Sequence, residues 1–433
     1  MRLPTRPIDV GDKDHPGVLR LDCSKTRVPS LRYVALSHRW GDATQHRIFC
    51  TYNQNIEQFK TGIDFKYLPK TFRNAVTVTR GLNIRYLWID SLCVIQKNAK
   101  DWEYECQRME DVFNAEYCTI SASCANGTTD GFLKSRPKRR CVAIDTRMTT
   151  KSSRIYICEA IDDFRQRALS RRTLHFTEKQ VYWECGQGVR CETLTKMFNR
   201  GSSFIGDSDF PHSAVQYYRG MKVLFFESIY EQYSKLDFSE QTDRSYGIVG
   251  LEKRLVSTYK TAGKYGILHD FLGRSLLWQR DCKAMEKVPC SNDQKVPSWS
   301  WMAVWGAIKY THVPFDSVDW NEEIKSPFRN IINGGDATQI LDLGAVGRDF
   351  TTLREDKFIL DDPGKIEIIE NLKCVVIATE RLDDLSDGQL HYVLLVAPKD
   401  VKESCIKYEG VGIAVLEKKD ISLEGAGLDV QIV

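Results

Sequence analysis

Over the first third of the chain, apolar residues fall into short unbroken runs separated by stretches with helical spacing. Tyr33 to Ser37 (YVALS) is a short apolar strand, Tyr86 to Ile89 (YLWI) is apolar without alternation, the pattern of a strand covered on both faces, and Tyr117 to Ala122 (YCTISA) supplies a third strand. Between the first two, Leu68-Pro69 opens a predicted helix on which Phe72, Ala75, Val76 and Thr79 share a face, and Gly81 suits a left-handed residue past its end. Before the third run, Asn98 is placed to cap a helix in which Trp102, Cys106, Met109 and Phe113 recur at helical intervals. Strand, helix, strand, helix, strand predicts a mainly parallel α/β sheet containing Val34, Leu87 and Thr119, with the helices at Pro69 and Asp101 packed on it.

The later sequence reads differently. The Lys- and Arg-rich segment 134–154 (KSRPKRR, then TRMTTKSSR) reads as a solvated connection. From Ser213 to about Gln279 the spacing is helical, as in Val223, Phe226, Ile229, Tyr230 and Tyr233, with a further helical stretch from Tyr246 to Leu255. Beyond Pro297 the text SWSWMAVWGAIKY leads into alternating segments such as Val375 to Ala378, Tyr392 to Val396 and Val411 to Val415. Trp299, Trp301 and Trp305 read as packing residues. The expected division is an N-terminal extension 1–30, an α/β domain 31–190, a mostly helical region 191–295 and a β-rich part 296–433.

Composition narrows the function classes. The 433 residues are 42% apolar, enough for two ordinary cores. Sixty-one basic against 58 acidic residues leave +3, which argues against nucleic acid as a partner. The 14 cysteines are spread thinly and neither CxxC nor HExxH occurs, so reduced thiols and no metal are expected. No segment approaches the roughly 18 apolar residues of a membrane span and the N-terminus has no apolar leader core, so the expected location is cytoplasmic.

In an open parallel sheet, ligands gather beyond the carboxyl ends of the strands. That rule collects Ser37, His38, Arg39 and Trp40 after the first strand, Asp90, Ser91 and Cys93 after the second, and Ser121 and Ser123 after the third. Arg39 offers a guanidinium for phosphate or carboxylate and Trp40 a flat aromatic surface, although Trp40 reads equally well as a core anchor. Asp90 either accepts ribose hydroxyls or caps the turn that leaves the strand. Cys93 with His38 lacks the orienting third group of a thiol nucleophile. Glu105 is the most informative carboxylate: at 100° per residue it points about 40° from Met109 and about 20° from Val112, on the apolar stripe. A carboxylate there is either paired, for instance with an arginine, or lines a site. GxGxxG and Walker A sequences are absent, which disfavours an ordinary dehydrogenase or phosphate-loop enzyme.

YVALSHRWG (Tyr33 to Gly41), LPKTFRNAVTVTRGLNIRYLWIDSLCVIQ (Leu68 to Gln96), DWEYECQRMEDVF (Asp101 to Phe113) and AEYCTISASCANGTTDGFL together resemble the heterokaryon incompatibility (HET) domain of filamentous fungi. LSRRTLHFTEKQVYWEC (Leu169 to Cys185), TDRSYGIVGL (Thr242 to Leu251) and VPSWSW (Val296 to Trp301) extend the likeness along most of the chain. The resemblance implies an effector of non-self recognition, or allorecognition, that triggers programmed cell death through self-association or an incompatibility partner. It also implies a TIR-like or flavodoxin-like fold, since HET domains are distantly similar to the TIR domains of innate immunity. Some TIR domains cleave NAD between nicotinamide and ribose with a glutamate three residues after a tryptophan, a spacing that Trp102 and Glu105 reproduce. NAD then enters as a substrate rather than a resident cofactor, with Glu105 catalytic and Ser37, Arg39, Trp40, Asp90 and Trp102 binding it. An inactive relative is the third alternative. One departure stands out: the block resembling R-G-W-x-x-Q-E that usually precedes LSRR is missing, and Asp162 to Gln166 runs straight into Arg167, Ala168 and Leu169.

Overall fold

The YVALS, YLWI and CTIS segments are neighbouring parallel strands of one sheet, as the order strand, helix, strand, helix, strand predicts. The computed structural model describes residues 3–11, 17, 19–24, 31–42, 44, 48–106, 108–136, 141–148, 151–158, 170–185, 188–192, 196–197, 219–236, 241, 243–289, 296–329, 342–364, 371–381, 388–400 and 407–433. The missing R-G-W-x-x-Q-E block, expected before Arg167, falls outside the described residues. The chain divides into two compact units, Met1–Ser213 and Ala214–Val433.

The first unit is built on strands β1 (Ile8–Asp9), β2 (Arg20–Leu21), β3 (Tyr33–Ser37), β4 (Tyr86–Ile89), β5 (Cys118–Ser121), β6 (Cys141–Met148), β7 (Lys151–Cys158), β8 (Arg172–Phe176), β9 (Val181–Cys185), β10 (Gly188–Cys191) and β11 (Lys196–Met197). Nine of them form one sheet in the order β11-β10-β9-β8-β5-β3-β4-β1-β2. Its centre is parallel: β3 pairs with β4 and β5, and β5 with β8. The other pairings are antiparallel, so the sheet is mixed, and the expectation of a mainly parallel sheet is corrected. The reason is local. The two-residue strands β1 and β2, in a segment read from sequence as an extension, close one side, and the tight β8–β9 hairpin extends the other. Strand β3 is buried along its whole length at the centre of the parallel region, which accounts for its lack of alternation.

The basic segment read as a solvated connection instead forms an antiparallel hairpin, β6 with β7, in register from Cys141↔Cys158 to Met148↔Lys151. Alternation in CVAIDTRM and KSSRIYIC was the available signal, and the charge run obscured it.

Among the described residues five helices serve this unit: α1 (Ile56–Thr61), α2 (Lys70–Gly81), α3 (Asp90–Cys93), α4 (Ala99–Cys106) and α5 (Met109–Ala115). Helix α2 buries Thr71, Phe72, Ala75, Val76 and Thr79, the predicted face, with Pro69 immediately before it. Gly81 is its last helical residue, and the left-handed conformation is taken two positions later by Asn83 (φ 57°). Asn98 accepts the Asp101 N–H through Oδ1 (3.1 Å), as a cap should. The expected single helix after it is two. The Arg108 N–H bonds the Glu105 carbonyl at 3.0 Å, a tightened i→i+3 turn, and α5 restarts at Met109. Trp88 of β4 meets Phe113 of α5 edge-on at 5.5 Å, and the Tyr33 hydroxyl donates to the Val112 carbonyl (2.5 Å), so α5 lies on the sheet.

Among its described residues the second unit runs from helices α6 (Arg219–Ser234), α7 (Asp243–Gly247) and α8 (Val249–Tyr259) through β12 (Gly263–Lys264), β13 (Ile267–Leu268) and α9 (Leu272–Leu276) to β14 (Trp278–Arg280), β15 (Glu286–Lys287), β16 (Val304–Trp305) and β17 (Ile308–Tyr310). Its C-terminal part is rich in strands, as expected: β18 (Val318–Trp320), β19 (Leu343–Arg348), β20 (Phe358–Leu360), β21 (Lys373–Glu380), β22 (Leu390–Asp400), β23 (Lys407–Glu417) and β24 (Leu428–Ile432). The pairings β21–β19–β24–β23–β22–β21 close into a ring of five strands, a barrel-like sheet to which β18 and β20 add at β21 and β23. Closure removes the exposed edges of its members. Ile267, Leu276 and Trp299 share one core with Leu343, Val375, Val396 and Ile432, so helical and strand-rich parts are packed together. Trp301 is fully buried beneath the Arg244 guanidinium, 4.9 Å from the ring centre, which bears out the reading of this tryptophan as packing.

Candidate functional site

The parallel strands β3, β4 and β5 all end at one edge, and the turns that follow them carry the residues singled out from sequence. Ser37, buried, closes β3 in register with Ser121 at the end of β5. His38 follows with its side chain 1% exposed, its ring edge-on to Phe72 at 5.1 Å and Nδ1 3.9 Å from Asp90 Oδ1. Arg39 points into solvent. The Trp40 indole N–H donates to Asp90 Oδ2 at 2.9 Å, while Asp90 Oδ1 accepts the Ser91 N–H at 2.7 Å. Asp90 therefore caps the turn leaving β4 and holds Trp40 at once, leaving its carboxylate one-third exposed.

Backbone fixes this edge as much as side chains do. Gly41 has φ +88°, and a Cβ there would sit 3.1 Å from the Cα of Gly127, so the turn after β3 and the loop after β5 meet through bare main chain. That loop is tied to the start of α2. Thr71 Oγ1 donates to the Gly127 carbonyl (2.9 Å) and accepts the Gly131 N–H (3.1 Å), and Asn74 Oδ1 accepts from Phe132 and Leu133.

Glu105 is buried, 3% exposed, on α4. Its partner is a residue that pattern reading missed: Arg6, in the segment preceding β1. Arg6 Nη2 lies 3.3 Å from Glu105 Oε1 and 2.6 Å from Asp101 Oδ2, while Arg6 Nε donates to the Cys93 carbonyl at 3.1 Å. Asp101 Oδ2 also accepts the Ile95 N–H at 2.7 Å. Arg108 reaches the same N-terminal segment, donating to Thr5 Oγ1 and to the Leu3 carbonyl. Burial raises the Glu105 carboxyl above its ordinary value, against the opposing pull of a Thr5 hydrogen bond and the Arg6 charge. Trp102 is half-buried against the main core.

Thus Ser37, Trp40 and Asp90 stand at one edge, with Arg39 exposed beside them. Glu105 joins them indirectly, through Arg6 and the Cys93 carbonyl at the far end of the helical turn that Asp90 begins. The Cys93 thiol is buried, pushed up by that burial, and accepts the Ile89 N–H at 3.3 Å, the surroundings of an inert thiol. Among the described residues no cluster of three His, Cys, Asp or Glu side chains is placed to hold a metal, and no helix is long and apolar enough to cross a membrane.

Residues 33–179 match the family described as Heterokaryon incompatibility protein (HET), a span that contains every strand terminus and site residue above except Arg6 and its neighbours. No curated protein and no solved structure matches the chain.

Proposed function

We propose, from the match of residues 33–179 to the family described as Heterokaryon incompatibility protein (HET), that the chain is an effector of fungal non-self recognition whose first unit passes a death signal by contact, through self-association or an incompatibility partner. The observation that carries this reading over an enzymatic one is the engagement of Glu105. Its carboxylate is buried and held by Arg6, which also binds Asp101 and the Cys93 carbonyl. In that arrangement Glu105 ties the N-terminal segment to α4 and the end of α3, and Asp90 serves Trp40 in the same structural way.

A second reading, NAD cleavage, has one observation in its favour: Glu105, three residues after Trp102, is a buried carboxyl with a raised pKa, linked through Arg6 to the Cys93 carbonyl at the end of the turn that follows β4. On that reading Glu105 would release Arg6, orient a ribose hydroxyl and stabilise the oxocarbenium-like centre as nicotinamide leaves, with Arg39 on the phosphates and Trp40 or Trp102 against a ring. The two readings separate by expression of the wild type and Glu105→Gln in fungal cells at matched, folded protein levels. Contact signalling predicts killing by both. Loss of killing in Glu105→Gln with an unchanged melting profile would favour the enzyme.

A further inference from the structure

Outside the site described above, the second unit holds a pocket of about 490 Å³, within the range of about 300–1,000 Å³ typical of small-molecule sites. Its floor is apolar and buried: Val318, Ile324 and Ile377. Phe315 and Trp320 supply aromatic rings, and Phe315 is 41% exposed. Trp320 is wedged against main chain, since a Cβ on Gly273 would come within 2.2 Å of its ring.

Two guanidinium groups line the same pocket. That of Arg274 stands 4.4 Å from the centre of the Phe315 ring and 5.4 Å from that of Trp320, within cation–π range of both. Arg381 donates to the Asp316 carbonyl at 3.2 Å and pairs with Asp319 at 2.6 Å. The Arg381–Asp319 pair is more than half exposed on both sides, so it contributes little and its cation can turn to a ligand. Asp270 and Asp316 also line the pocket, and Asp270 Oδ1 is engaged by the Thr261 hydroxyl at 2.7 Å. With Asp319 already on Arg381, three carboxylates face the two arginines, which disfavours a polyanion; a single phosphate enters by taking the place of Asp319 on Arg381.

We propose that this pocket binds a nucleoside monophosphate, with the base against Phe315 and Trp320 and the phosphate between Arg274 and Arg381. The proposal is independent of how Glu105 acts. It is tested by isothermal titration of the full chain with AMP, adenosine and inorganic phosphate. AMP should saturate a single site, with adenosine and phosphate each at least tenfold weaker, because each keeps half of the recognition. Phe315→Ala, an exposed position that leaves the core intact, and Arg381→Gln should each weaken AMP at least tenfold with unchanged melting; Arg274→Lys, which keeps the charge but loses the planar fork, should do the same. No saturable AMP binding would overturn the proposal. So would phosphate binding as tightly as AMP, or AMP affinity unchanged in Phe315→Ala and Arg381→Gln. AMP binding lost in Arg39→Ala but retained in those variants would place the nucleotide in the first unit and equally overturn it.

Discussion

Arg6 and Glu105, 99 residues apart in sequence, meet at 3.3 Å in a part-buried ion pair that fastens the N-terminal segment to helix α4. Removing Arg6 leaves the buried Glu105 carboxylate without this cation, a change of the kind that generally costs about 3–5 kcal/mol, whereas Arg6 without Glu105 keeps Asp101 at 2.6 Å. Arg6→Met is therefore expected to destabilise the first unit by that order, measured by urea denaturation. Adding Glu105→Gln to Arg6→Met should recover part of the loss, whereas strictly additive losses would mean the two residues are not coupled.

The raised Glu105 pKa sets a pH dependence of definite sign. Burial disfavours the charged form, so between 4.5 and its raised folded value the native state holds more proton at this site than the unfolded chain does. The contribution of this group is then most favourable at low pH and is lost as pH rises through that window. Urea denaturation of wild type and Glu105→Gln over a pH series should show the wild type losing ground to the variant as pH rises from 4.5, then a constant difference. The opposite slope would mean that Arg6 outweighs burial and holds the carboxyl down.

Gly41 tests the main-chain contact between the turns after β3 and β5. With φ +88° and the Gly127 Cα 3.1 Å from where a Cβ would stand, Gly41→Ala meets both backbone strain and a clash with main chain. A loss of about 1–3 kcal/mol is expected, read as a lower melting temperature. Gly81→Ala is the control: Gly81 is helical and its Cβ would meet nothing within 4 Å, so a small gain is expected there.

Trp40→Phe keeps most of the aromatic surface and removes the indole N–H that Asp90 accepts at 2.9 Å. A loss of about 1 kcal/mol is expected in denaturation. Asp90 keeps its bond to the Ser91 N–H, so the turn after β4 should persist.

Two central strands and the buried face of α2 were legible because YVALS and YLWI, covered on both sides of the sheet, do not alternate, and because Phe72, Ala75, Val76 and Thr79 repeat at the helical period. Asn98 was legible for the same kind of local reason: its side chain and the N–H it caps are three residues apart. What escaped was non-local. Strands of two residues such as Ile8–Asp9 carry no period, and nothing around Arg6 announces a partner almost a hundred residues away. Glu105 was placed on the buried stripe correctly, with an arginine partner among the alternatives, but its identity required the fold. Likewise Asp90 reads from sequence as a ligand acceptor or a turn cap and Trp40 as a ligand surface or a core anchor, each taken separately, and the structure joins them to each other.

The central claim is that Glu105 acts as a structural clasp in a contact-signalling module. It is tested most directly by incubating the purified full chain with NAD and following nicotinamide and ADP-ribose, with Glu105→Gln and a melting profile of both proteins alongside. The account predicts no release of nicotinamide above the uncatalysed rate by either protein. Release by the wild type that disappears in a folded Glu105→Gln would contradict it and establish Glu105 as a catalytic group.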